Sequence, residues 1–187
     1  MADLTAFPAL ATERLWLREI VDADAPALFA IHGNAQVMRW FGSDPLADEL
    51  AALMLVRTFS GWRKLVNPGT RWGLQLKAHD GLIGSCGLFS WNRQWRKCTV
   101  GYELAPAATG QGLMTEALRA VLNWGFTQMH VNRIDAQIHP ENARSIRLAV
   151  KLGFVEEGRL REIAYWGGQH HDMLQFSLLR RDWRGRG

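Results

Sequence analysis

The stretch that most limits the fold is residues 101–118, Gly-Tyr-Glu-Leu-Ala-Pro-Ala-Ala-Thr-Gly-Gln-Gly-Leu-Met-Thr-Glu-Ala-Leu. A strand stops near Leu104, a loop carries Gly110 and Gly112, and a helix follows. Leu113, Ala117, Leu118, Val121, Leu122 and Phe126 recur on one helical spacing. Glycines at such a junction let the main chain turn tightly and approach a ligand. The free N–H groups at the helix start, helped by the helix dipole, favour an anion such as a pyrophosphate. Thr115 can offer a hydroxyl there, and Glu116 complements the dipole. A dinucleotide-binding Rossmann unit is the rival reading. It needs a third glycine where Thr115 stands, and a parallel βαβ setting.

The flanking segments do not supply that setting. Residues 71–77 alternate as a strand, His79-Asp-Gly81 reads as a hairpin turn, and strands are expected at 82–91 and 98–104. This is an antiparallel meander. Before it, a strand is expected at 15–20 and helices at 22–33 and 45–65, with Asp22 or Asp24 capping the first. After it come a helix at 113–129, a strand at 133–138, a helix at 142–152, and strands at 155–165 and 173–179. The sum is an α+β chain with a mixed, mostly antiparallel sheet and flanking helices. Residues 1–11 read as a loose lead-in, 12–183 as one domain and 184–187 as a basic tail.

Composition narrows the function classes. The 187 residues are 48% hydrophobic, enough for a core without staples. No run of about 18 uncharged apolar residues suggests a membrane span, and residues 1–12 lack the basic start and apolar run of a signal peptide. Two cysteines, Cys86 and Cys98, fit a reduced cytoplasmic protein. The net charge of +4 suits an acidic ligand. Basic residues collect at 93–97 and 180–186; each run reads as a solvated turn or chain end, so no nucleic-acid partner is expected. His170-His171-Asp172 hints at a metal, but neighbouring strand residues face opposite sides, and no metal site is expected.

With these residues in view, Gly110-Gln-Gly-Leu-Met-Thr-Glu-Ala-Leu118 resembles the acetyl-CoA pyrophosphate loop of the GNAT acetyltransferases. Asn142-Ala-Arg-Ser-Ile-Arg-Leu148, followed by Lys151-Leu-Gly-Phe154, resembles that family's second cofactor motif. Thr12-Glu-Arg-Leu-Trp-Leu-Arg18 and residues 171–179 resemble its RimJ/RimL-like branch. The resemblance implies a splayed central strand pair, with the strands ending at Leu104 and Ile138 parting to admit the pantetheine arm. It implies cofactor contacts at Leu104, Ala105, Gly110, Gln111, Gly112, Leu113, Met114, Thr115, Asn142 and Ser145. It also implies an acyl-CoA partner, an amine acceptor and, as in many members of the branch, a homodimer. The chain departs from the family pattern at Ala107, Ala149 and Ala164, where a cofactor-binding side chain, an acidic tyrosine and a basic glutamate are usual.

Acetyl transfer to an amine needs a neutral amine, a polarised carbonyl and a proton for the departing thiolate. Direct attack is expected, because neither cysteine has an evident activating partner. Glu103, at the end of the strand that resembles the cofactor-binding one, is the expected base, through water, with Glu162 and His139 as alternatives; the resemblance implies Ser145, three residues after Asn142, as the acid. An α-amine deprotonates about 2.6 pKa units more readily than a lysine, roughly 3.5 kcal/mol at neutral pH, which favours a protein or peptide N-terminus. A small amine acceptor and a non-catalytic acyl-CoA-binding module remain the other readings.

Overall fold

The computed structural model describes residues 6–185. Eight strands form one sheet: β1 (Leu10–Ala11), β2 (Leu15–Arg18), β3 (Thr70–Leu76), β4 (Gly84–Asn92), β5 (Lys97–Leu104), β6 (Arg133–Ile138), β7 (Val155–Trp166) and β8 (Gln169–Leu179). Their order across the sheet is β1-β2-β3-β4-β5-β6-β8-β7. All neighbours are antiparallel except β5 and β6. Among the described residues five α-helices flank it: α1 (Ala25–His32), α2 (Ala35–Met38), α3 (Glu49–Gly61), α4 (Leu113–Thr127) and α5 (Ala143–Lys151).

Each sheet face has its own apolar layer. Leu15, Leu17, Trp72, Leu74, Cys86, Leu88, Cys98 and Val100 pack with Leu118, Val121, Leu122 and Phe126 of α4. Period-2 alternation on the strands meets period-3.6 spacing on the helix, so both patterns bury the same seam. The opposite face holds a smaller cluster in which Leu28 of α1 meets Ala52, Val56 and Phe59 of α3.

Several boundaries differ from the sequence reading. The lead-in is tied down from Phe7: its ring packs edge-on to Trp72, Trp72 Nε1 donates to the Pro8 carbonyl at 2.7 Å, and Leu10–Ala11 pairs with β2. Asp24 does not cap α1 with its side chain; it accepts from Val21 N at 2.9 Å and pairs with Arg18. Asn34 caps the unanticipated α2, accepting from Gln36 N and Val37 N. Asp48, not Pro45, starts α3. The last hairpin is longer than expected because only Gly167–Gly168 separates β7 from β8. Among the described residues, no helix is long and apolar enough to cross a membrane.

Candidate acetyl-transfer site

β5 and β6 are paired only where Lys97, Cys98 and Thr99 meet Arg133, Ile134 and Asp135. Beyond Thr99 the two strands part, and β6 keeps its pairing with β8 through Ile138. The exposed edge of β5 has a defined register. Ala105 N donates to Ile83 O at 2.8 Å, and Gly84 lies opposite Leu104. In an antiparallel ladder, bonded and non-bonded pairs alternate, so Leu104 and Tyr102 turn their main-chain groups away from β4 and into the gap. Ala105 does not: its N–H serves Ile83, and its carbonyl accepts from Ala108 N at 3.0 Å. Of the two expected main-chain contacts here, the geometry therefore favours Leu104 over Ala105.

The glycine loop stands at the same end. Gly110 and Gly112 have φ of 80° and 78°, left-handed values that disfavour other residues. Gly112 is the N-cap of α4 and brings no capping side chain. The first amides of α4 are thus left without a side-chain acceptor, as an anion site requires. Leu113 and Met114 are buried, so they offer the site their main chain only. Gln111 is exposed and spends its side-chain amide on Ala107 O at 3.0 Å. Thr115 is half-buried in the first turn.

Arg14 is a feature that sequence reading missed. Its Nη1 donates to Gln111 O at 3.1 Å, and its Nε pairs with Glu116 Oε2 at 2.7 Å. Glu116 also accepts from Arg14 N at 2.8 Å and from Thr12 Oγ1 at 2.5 Å. Partial burial opposes ionisation of Glu116, but Thr12 and Arg14 outweigh it and hold the carboxyl below its usual range. Glu116 therefore ties the chain before β2 to the loop and brings a guanidinium beside it. Little in the local sequence could have signalled this, because the partners lie 102 residues apart.

On the far side of the gap, Asn142 caps α5, accepting from Ser145 N at 3.1 Å with Oδ1. Its side-chain oxygen is therefore engaged within the helix cap. Ser145 is half-buried, and the Tyr102 hydroxyl reaches its carbonyl at 3.5 Å. Tyr102 points into the gap beside Val100, Ala136 and Ala149. Burial, only partly offset by the Ser145 contact, pushes its phenol up to about 12, so it is a neutral donor at physiological pH. The sequence reading named Ser145 as acid and overlooked Tyr102.

Glu103 faces the opposite side of the sheet, toward α1 and α3. It is buried. Arg71 Nη2 donates to one of its oxygens and Ser85 Oγ to the other, while Arg71 Nε donates to Ser85 Oγ at 2.7 Å. His32 Nε2 lies 3.3 Å from Glu103 Oε1, off the line of a hydrogen bond. Burial opposes the charge on Glu103, but Arg71 foremost, then His32 and Ser85, hold its carboxyl below the ordinary carboxylate range. It is a paired anion rather than a free strand-end glutamate.

The alternatives are placed less favourably. Glu162 is exposed, on an irregular stretch of β7 between Leu160 and Ala164, with φ of 50° and its N–H on Asp172 Oδ1 at 2.7 Å. His139 directly follows β6 and stacks on Trp40, with ring centroids 4.1 Å apart. Its Nδ1 accepts from Glu141 N at 3.1 Å, so the neutral ring carries its proton on Nε2 and offers a donor rather than a base. Burial and the neighbouring His171, Arg159 and Arg39 lower its pKa against the pull of Glu141. His171 stacks on Trp166, His170 is exposed, and Asp172 pairs with Arg159.

A splayed parallel pair beside an uncapped glycine loop is one arrangement; its family is decided by comparison. The model described as "Acetyltransferase (GNAT) domain" matches residues 14–155. The chain belongs to the GNAT acetyltransferases. It is 33% identical to the "Uncharacterized N-acetyltransferase YoaA" of Bacillus subtilis (strain 168), across 93% of this chain and 98% of that one. It is 36% identical to the "[Ribosomal protein uS5]-alanine N-acetyltransferase" of Escherichia coli (strain K12), across 46% of this chain and 44% of that one. The fold superposes on Mycobacterium smegmatis RimJ in complex with CoA-disulfide with a TM-score of 0.81 at 22% identity, covering 91% of this chain and 86% of that one. As a GNAT N-acetyltransferase the protein uses acetyl-CoA as co-substrate. The residues present fit that molecule: an open strand edge with free main-chain groups, and a loop of free amides with Arg14 alongside.

Proposed function

We propose that this chain transfers the acetyl group of acetyl-CoA to the α-amine of a protein or peptide, by direct attack in a ternary complex. The reading is carried by one observation: the main-chain groups of Leu104 turn into the splay at the end where Gly110 and Gly112 leave the α4 amides uncapped. In this reading Leu104 would hold the pantetheine arm, residues 110–115 the pyrophosphate, and Asn142 and Ser145 the arm from the α5 side. Acetyl-CoA supplies the activated thioester. Glu103 receives the amine proton through water, and Ser145 or Tyr102 protonates the leaving sulfur.

The acceptor class follows from the basicity available. A carboxylate already held by Arg71 and Ser85 is a weak proton acceptor, so the amine must reach its neutral form largely unaided. An α-amine does so far more readily than a lysine. The similarity to an enzyme named for a ribosomal-protein alanine supports the same choice. The test is thiol release and product mass with acetyl-CoA and three acceptors: a peptide with a free N-terminus, the same peptide N-blocked but bearing lysine, and a polyamine. The free N-terminus should be preferred at neutral pH. Preference for lysine or the polyamine would overturn the acceptor, and cofactor binding without turnover on any amine would overturn the transfer.

A further inference from the structure

The basic run at 93–97 and the start of the run at 180–186, far apart in sequence, adjoin in the fold; Arg186 lies outside the described residues. Asn132 N and Arg133 N donate to Arg96 O at 2.6 and 3.2 Å, and Arg180 N donates to Asn132 O at 2.8 Å. The β4–β5 turn, the start of β6 and the end of β8 thus adjoin along the closed end of the sheet. Arg93, Arg96, Arg180 and Arg181 are exposed there, and Lys97 is half-buried. Among the described residues, only Arg181 of these five has an ion pair, with Asp182 at 3.9 Å. Arg133, on the same edge, is committed to Asp135 and Glu157.

An aromatic ring sits among these charges. Trp95 is 66% exposed, with Lys97 Nζ 5.2 Å from its ring centre, and Arg93 lies 4.7 Å over Trp91. The turn that holds Trp95 outward is built rather than slack. Trp95 N donates to Asn92 Oδ1 at 2.8 Å, and Arg96 adopts φ of 49°, unusual for a residue other than glycine. The indole thus stands outward among cations, presenting an apolar face and a polar N–H to a partner.

We propose that this end of the sheet binds single-stranded nucleic acid. Unpaired cations meet phosphates, and an outward indole flanked by cations gives an unpaired base a stacking platform. An acidic peptide would satisfy the arginines but leave Trp95 without a partner. The eight residues of β5 put the patch about 25 Å from the open end of the splay, so a bound strand leaves the cofactor loop uncovered.

The test is fluorescence anisotropy of the full chain with labelled oligo-U RNA and oligo-T DNA of about 12 nucleotides, from about 50 to about 200 mM salt. Binding should weaken steeply with salt, by about 0.7 log units per log unit of salt for each phosphate neutralised. Arg96→Ala with Arg180→Ala should lower that slope by about 1.4, while the two lysine replacements preserve it. Trp95→Ala should weaken binding about 5-fold or more at unchanged slope. Tighter binding of one oligomer identifies the natural strand type. Circular dichroism and acetyl-CoA binding of the variants should match the parent. Absence of binding at about 50 mM salt, an unchanged slope in the double alanine variant, or competition by polyglutamate as effective as by RNA would overturn the proposal.

Discussion

Glu103 shows how much one side chain's role depends on its neighbours. Replacing it with glutamine leaves Arg71 as a buried cation without its anion, a change that costs about 3–5 kcal/mol. Glu103→Gln should therefore melt earlier in calorimetry. If Glu103 also receives the amine proton, kcat should fall by about 100-fold while the acetyl-CoA Kd holds. A purely structural role would lower Tm and leave kcat of the surviving folded enzyme intact. On the other side of the sheet, Tyr102→Phe and Ser145→Ala separate the two hydroxyls that could protonate sulfur. The variant that lowers kcat by about 10-fold or more identifies the acid. Tyr102 has the better-defined state, since its phenol is pushed up to about 12 and stays protonated through neutral pH.

Among elements, the loop that starts α4 joins two demands: left-handed backbone at Gly110 and Gly112, and amides with no capping side chain. Gly112→Ala puts a Cβ on a residue at φ of 78°, which costs about 1–2 kcal/mol and pulls the loop toward another conformation. The Cβ itself has room, its nearest neighbour being Arg14 Nη2 at 3.7 Å, so the effect is backbone strain rather than a clash. Coenzyme A affinity should drop by about 10-fold, measured by calorimetry, with the core intact. Arg14→Ala removes the guanidinium that bonds Gln111 O and Glu116 beside the same loop, and should weaken coenzyme A without changing the preferred acceptor. A shift in acceptor preference in that variant would place Arg14 in a different role.

For the whole molecule, acid is the informative stress. The carboxyls of Asp24, Glu103 and Glu116 sit below their ordinary values in the fold, and His139 is lowered too. A lowered folded pKa means that the unfolded chain takes up the proton first, so stability is full above the unfolded value and is lost as pH falls. His139 contributes as pH drops below the ordinary histidine value of 6.5, Glu103 and Glu116 below 4.5, and Asp24 below 3.8. Tm should therefore decline in two stages on acidification. In His139→Gln the upper stage should shrink; an unchanged upper stage would assign it to another group.

By itself the sequence determined what local periodicity and local chemistry can carry: the strand-to-helix junction with Gly110 and Gly112, the amphipathic α4, the antiparallel meander, and Asn142 at the head of α5. These depend on neighbours within a turn or a hairpin, so spacing suffices. Tertiary structure alone decided which groups share a site. Alternation could place Glu103 on a strand but not reveal Arg71 and Ser85 beneath it, or His32 arriving from α1. Ala105 was spent by Ile83 across the sheet, Arg14 reached Glu116 from the first strands, and the basic run at 93–97 came to adjoin the start of the run at 180–186. In each case the deciding partner lies many residues away, and only the packed sheet, which fixes register and face together, sets the distance between them.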